Sequence, residues 1–126
     1  MLTQIGLTLA AMDRYPEAID QHNAALSIIH DSNHPLFEAE ALNDLGATLR
    51  LSGAPQQALE YHQRSIALVR ELDHYEHARA HHELALSHYE LGNRQTAYAH
   101  WRQRLDLTTK LRTRQAALPP PTDLTT

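Results

Sequence analysis

The sequence of 126 residues contains no cysteine. This absence excludes disulfide bonds, a thiolate zinc site and a cysteine nucleophile. No apolar run approaches the ~20 residues that a membrane helix requires. A basic start followed by an apolar stretch, which would indicate a secretory signal, is also missing from the N-terminus. We therefore expect a cytoplasmic protein with no membrane contact.

Glycine and aromatic residues are few, with four Gly and 6% aromatic residues, and the net charge is −4. Residues 1–100 hold 13 acids and 6 bases, whereas residues 101–126 hold 2 acids and 5 bases. Residues 1–100 therefore lack the clustered basic face that nucleic-acid binding requires. We interpret the basic end as cations favoured by the dipole of a C-terminal helix. A contact with nucleic acid or with an acidic neighbouring domain is the alternative.

Three segments of the chain resemble one another, which indicates an internal repeat. They run from Thr3 to Leu26, from Asn43 to Ile66 and from His82 to Leu105. Equivalent alanines recur at spacings of 40 and 39 residues, namely Ala18, Ala58 and Ala97. Each unit has the apolar spacing of two helices. The units span about 1–35, 36–74 and 75–117.

The periodicity predicts six helices, over about 2–12, 15–31, 36–52, 55–72, 75–91 and 94–116. Gly53 suits a helix C-terminal cap, and Pro55 suits the first turn of the helix that follows. The run of three prolines and the Thr-rich end cannot continue a helix. Residues 118–126 are therefore predicted to be a flexible tail.

Small residues recur where the two helices of a unit must approach closely. One set lies on the first helix of each unit and the other on the second: Gly6, Gly46 and Ala85, then Ala18, Ala58 and Ala97. No helix pair can bury its apolar face alone, so three stacked pairs are needed for one continuous core. The sequence predicts an all-α, right-handed superhelical stack of three helix pairs.

This pattern resembles the tetratricopeptide repeat, whose blocks combine Leu-Gly, then Ala-x3-Phe. In the second unit these blocks are Leu45-Gly46 and Ala58-x3-His62. In the third unit the Ala-x3-Phe block is Ala97-x3-Trp101. The period near 40 resembles the long-helix variant. The resemblance covers residues 1–117 and implies a domain that binds proteins or peptides without catalysis.

A narrower resemblance is carried by ALEYHQRSIALVRELDH (58–74) and AHWRQRLDLTTKL (99–111). Both are similar to repeats of large actinobacterial transcription regulators of the Streptomyces antibiotic regulatory protein type. This resemblance implies a regulatory or sensor domain within a longer chain. The start at Met1-Leu2, inside the first predicted helix and without a capping residue, favours a fragment.

Ten histidines are the most conspicuous candidates for chemistry. His77 and His81 are spaced i, i+4, as a metal pair would be, but no third ligand is apparent on the same face. We interpret them as surface or structural residues and leave a metal-binding protein as an alternative. His22 and His62 occupy the aromatic position of the repeat, and each is predicted to be packed with one ring nitrogen hydrogen-bonded locally.

Catalysis finds no support, because no serine lies in a Gly-x-Ser-x-Gly elbow and no Gly-rich phosphate loop is present. We predict no enzyme and no cofactor. The resemblance implies instead a ligand groove lined by the first helix of each unit. Arginine charges, an amide and an apolar patch could hold a peptide there. The predicted groove residues are Asn43, Ala47, Arg50, Arg79, His82, Leu86 and Tyr89.

The partner implied is a protein or peptide, or a neighbouring domain of the same chain. A free-standing scaffold or peptide receptor is the alternative to the regulator, and a homodimer is compatible with both.

Overall fold

The computed structural model describes residues 14–72 and 74–117, which form helices and no strands. The predicted all-α architecture is thus confirmed over this part of the chain. The predicted first helix, Gly6 and the predicted tail lie outside the described residues. The helices are α1 (Tyr15–Ser32), α2 (Pro35–Leu51), α3 (Pro55–Val69), α4 (His74–Glu90) and α5 (Arg94–Ala117).

Proline starts the first three of these helices, because its missing N–H would lack an intrahelical partner there in any case. Pro16, Pro35 and Pro55 all lie in the first turn. Residues with positive φ follow three of the helix ends, with Asn33 at 58°, Gly53 at 95° and Gly92 at 86°. Helix α3 ends at Val69, three residues before the predicted 72, because residues 70–72 turn toward the next helix.

The helices pack in chain order as antiparallel pairs. Helix α2 pairs with α3, and α4 pairs with α5, while α1 lies against α2 and α3 lies against α4. Helices α2 and α4 also contact each other directly, although α3 separates them in the chain. First helices of consecutive pairs are therefore neighbours, and they form one continuous face.

Small side chains permit the close approach within the pairs. Ala18, Ala58, Ala85 and Ala97 are all fully buried. One apolar cluster joins α1, α2 and α3 around Leu45, and a second joins α3 and α4 around Leu84. The core is therefore continuous from one helix pair to the next.

Candidate functional site

Two buried histidines connect neighbouring helices. His62 of α3 lies 2.9 Å (Nδ1) from Asn43 Oδ1 of α2, and His22 Nε2 of α1 lies 3.0 Å from Thr48 Oγ1 of α2. Burial lowers the pKa of His22 and lowers that of His62 to about 3. Burial therefore favours the neutral form of both rings. The prediction of a packed ring with one bonded nitrogen is confirmed, but the bonds are not local, since their partners lie 26 and 19 positions away on α2.

Asn43 does not face a ligand, contrary to the expectation for a groove residue. Its side chain is fully buried, and its amide also donates to the Glu76 carbonyl of α4 at 3.4 Å. Both ends of the amide are thus occupied within the chain. Asn43 fixes α3 and α4 relative to α2, and we remove it from the candidate groove.

Arg79 of α4 is held between two carboxylates. It donates to Asp44 of α2 and, at 3.1 Å, to Glu76 one turn earlier in its own helix. The Asp44 and Glu76 side chains are only 3% and 7% exposed. Burial raises the pKa of Glu76, although the Arg79 charge opposes that rise. Arg79 therefore compensates buried negative charge between α2 and α4.

Arg50 of α2 makes the reciprocal connection. Its Nε lies 3.4 Å from Glu83 Oε2, and its Nη1 lies 3.0 Å from Glu90 Oε1, both on α4. Each predicted groove arginine is thus already ion-paired across the two helices. The acids were not among the predicted residues, because their separation in sequence, 33 to 40 positions, carries no local signal.

The remaining groove residues fall into two groups. Ala47 and Leu86 are half-buried on the face shared by α2 and α4. His82 and Tyr89 lean instead toward α5, where Trp101 Nε1 donates to His82 Nδ1 at 3.1 Å. The structure therefore brings His82 and Tyr89 together around Trp101.

An aromatic cluster borders this face, and we define it as Tyr89, Tyr98 and Trp101. The Trp101 ring centroid lies 5.9 Å from that of Tyr89 and 6.0 Å from that of Tyr98. The Arg94 guanidinium lies 5.6 Å from the centre of the Tyr89 ring. Trp101 occupies the aromatic position of the third repeat, which was the sequence signal for this cluster.

A histidine cluster lies on the other side of α4. His81 Nε2 is 3.2 Å from His77 Nε2, and His81 Nδ1 is 3.0 Å from His100 Nδ1 of α5. The two neighbours meet different nitrogens of His81, so the three rings do not converge on one point. Within residues 14–72 and 74–117, no group of three or more His, Asp or Glu side chains is arranged to hold a metal ion.

These features define an all-α repeat protein built of stacked helix pairs. A sequence profile of the tetratricopeptide repeat matches residues 1–71 and, in a second register, 37–110. The chain therefore belongs to the tetratricopeptide repeat family, and the predicted resemblance is confirmed at that level.

The fold is also similar to a solved structure, the TPR domain of Arabidopsis FLU. The TM-score is 0.75 and the sequence identity is 23%, over 89% of this chain and 92% of that one. A comparison with curated proteins found no match. None of the helices in the described part of the chain is both long and apolar enough to cross a membrane.

Proposed function

We propose that this chain is a non-catalytic protein-binding module and the regulatory or sensor part of a larger transcription regulator. Tetratricopeptide domains mediate protein–protein interaction, and this chain belongs to that family. The stretches 58–74 and 99–111 resemble repeats of the regulators named above. In that setting the module contacts a cytoplasmic partner or a neighbouring domain, and another domain contacts DNA.

The aromatic cluster is the observation that supports a binding surface here. Tyr89 and Tyr98 are 45% and 51% exposed, although both rings pack against Trp101. Rigid aromatic side chains and arginine dominate the energetics of protein interfaces. Arg94 and the three rings supply these residue types at one edge of the face shared by α2 and α4.

The arginines of that face have a different role in this proposal. Arg50 and Arg79 hold α2 and α4 together through their ion pairs, since each arginine is bound by two carboxylates. We therefore assign the contact with the partner to the aromatic cluster, together with half-buried Leu86 beside it.

A photo-crosslinking experiment tests this surface. Benzoylphenylalanine is placed at Tyr98 or, as a matched control, at Tyr75, which is a 72% exposed tyrosine of α4 outside the cluster. We expect one protein adduct from position 98 in the source cell and none from position 75. Tyr89→Ser should reduce the yield from position 98. Equal yields from both positions, or no adduct, would contradict the proposed surface.

The size of the endogenous protein tests the regulator. An antibody against this domain should detect a band several times larger than 14.3 kDa in the source cell. A band at the mass of this chain would instead support the free-standing scaffold. An adduct between two copies in the crosslinking experiment would identify the partner as a second copy of the chain.

A further inference from the structure

The cavity beside the histidine cluster is a separate feature of the molecule. It lies between α3, α4 and α5 and has a volume of about 500 Å³. This volume is in the range of small-molecule sites. On α4 its residues His77 and His81 lie roughly half a helical turn away from Arg79 and Glu83. The cavity and the face shared by α2 and α4 are therefore independent surfaces.

The floor of the cavity is apolar. Ile66 of α3, Leu84 of α4 and Leu107 of α5 line it, and they are 7%, 1% and 8% exposed. A fully polar ligand would add no apolar contact to these three side chains. The floor therefore suits the hydrocarbon part of a ligand.

The histidine cluster forms one wall of the cavity. His77, His81 and His100 all line it. Burial and the neighbouring histidines lower the pKa of His81 to about 4, and the charge of Arg70 acts in the same direction. Burial also lowers the pKa of His100. An anion is the species that would offset the positive charge of Arg70 next to this wall.

The rim supplies charge of mainly one sign. Arg70, which directly follows α3, and Lys110 of α5 line the opening, and Gln63 and Gln103 add amide donors. Asp106 is the one carboxylate among the lining residues of the described chain. Guanidinium and ammonium groups next to amide donors are the groups that hold a carboxylate or phosphate head.

We propose that this cavity binds a small organic anion, with an apolar body on the Ile66–Leu84–Leu107 floor and an oxyanion head at Arg70 and Lys110. The imidazoles of His77 and His100 line the cavity beside the ligand, and both nitrogens of His81 are already engaged by these two rings. This gives the module a small-molecule site in addition to its protein-binding face.

Calorimetric titration of the whole chain at pH 7.5 tests the proposal with three probes. The probe 4-phenylbutyrate carries both an apolar body and a carboxylate, 4-phenylbutanol lacks the charge, and inorganic phosphate lacks the body. We expect 4-phenylbutyrate to bind with a dissociation constant below about 1 mM. Each of the other two probes should bind at least about tenfold more weakly, because the alcohol lacks the contact with the rim cations and phosphate lacks the contact with the apolar floor.

Paired charge variants locate the site. The double variant Arg70→Gln, Lys110→Gln removes both rim cations and should weaken 4-phenylbutyrate about tenfold or more. The matched control Arg64→Gln, Arg102→Gln removes the same charge from the same two helices outside the cavity, and its affinity should stay within about twofold. All four positions are exposed, so circular dichroism should show unchanged folding.

Four results would overturn the proposal. The first three are no binding of 4-phenylbutyrate up to about 10 mM, equal binding of the uncharged alcohol, or an equal loss of affinity in the control variant. The fourth is Zn²⁺ binding that requires His77, His81 and His100 while 4-phenylbutyrate does not bind. That result would make the cavity a metal site.

Discussion

Gly46 and His62 determine how closely α2 and α3 approach. A Cβ atom added at Gly46 would lie 2.5 Å from His62 Nε2 and 2.6 Å from its Cε1. His62 is fully buried and is hydrogen-bonded to Asn43, so its ring cannot move aside without losing that bond. The sequence predicted a small residue at this position from the repeat. The sequence could not show that His62 is the group that requires a small residue at position 46, because their contact depends on how α2 and α3 cross.

We predict that Gly46→Ala destabilises the fold by about 1–3 kcal/mol, because an extra methyl group must displace a packed ring. Urea unfolding followed by circular dichroism measures the change. The same substitution in a His62→Ala background should cost less, since the ring that it would strike is gone. An equal cost in both backgrounds would show that the His62 contact is not the cause.

For the predicted site residues, the sequence indicated the helix on which each residue lies but not its contacts. Residue type and repeat register placed Arg50 and Arg79 on the first helices, but they could not supply their partners on the other helix. Pairing depends on the rotation of α2 against α4, and Asp44, Glu83 and Glu90 each lie 33 or more positions from the arginine that they bind. His100 likewise joins His81 across 19 positions, which no i, i+4 pattern reveals.

The helices themselves were well predicted from the sequence. Four of the five described helices begin and end within a residue of the predicted bounds, because proline starts and left-handed ends are local signals. The exception is the end of α3, where no glycine or proline precedes the link. The resemblance implied that α2 and α4 share one face, but the ion pairs between them were not predicted, since they are tertiary contacts between helices that α3 separates in the chain.

We predict that Arg79→Met destabilises the fold by about 1–3 kcal/mol, because it leaves the Asp44 and Glu76 carboxylates buried without their cation. Arg50→Met should cost less than Arg79→Met, since Glu90 and Glu83 are 43% and 14% exposed and are more easily solvated than Asp44 and Glu76. Chemical denaturation compares the two variants, with the exposed Arg102→Met as the control.

A second substitution tests the cause of that loss. Asp44→Asn in the Arg79→Met background removes the orphaned charge, so the double variant should be more stable than Arg79→Met alone. Lower stability of the double variant would mean that Arg79 contributes through packing of its aliphatic stem instead.

The stability of the whole molecule depends on histidines that remain neutral. In the described part of the chain, burial is the largest cause of a lowered pKa at six histidines, and the pKa values of His62 and His81 fall to about 3 and about 4. The raised pKa of Glu76 has the opposite effect on the pH dependence of stability. The six are His22, His62, His81, His82, His88 and His100.

We predict that the free energy of unfolding decreases as the pH falls from about 6.5 toward 4. The unfolded chain binds protons on these histidines below their ordinary pKa of 6.5, whereas the folded chain binds them only at lower pH. Urea unfolding at a series of pH values measures the slope.

One substitution isolates the contribution of the histidine cluster. His81→Leu should reduce the slope between pH 4 and 6.5, and His34→Gln, an exposed site, should leave it unchanged. A His81→Leu slope as steep as that of the parent would contradict the assignment.

The reciprocal ion pairs between α2 and α4 have a mechanical consequence. Arg50 reaches two acids that lie about two helical turns apart on α4, and Arg79 ties α4 back to α2 at Asp44. Sliding or splaying the two helices would break several charged contacts at once. The stack is therefore braced at this point by several ion pairs. Between α1 and α2 the described side chains supply the buried His22–Thr48 hydrogen bond and one His30–Glu38 pair at 3.2 Å, and we expect bending to occur there first.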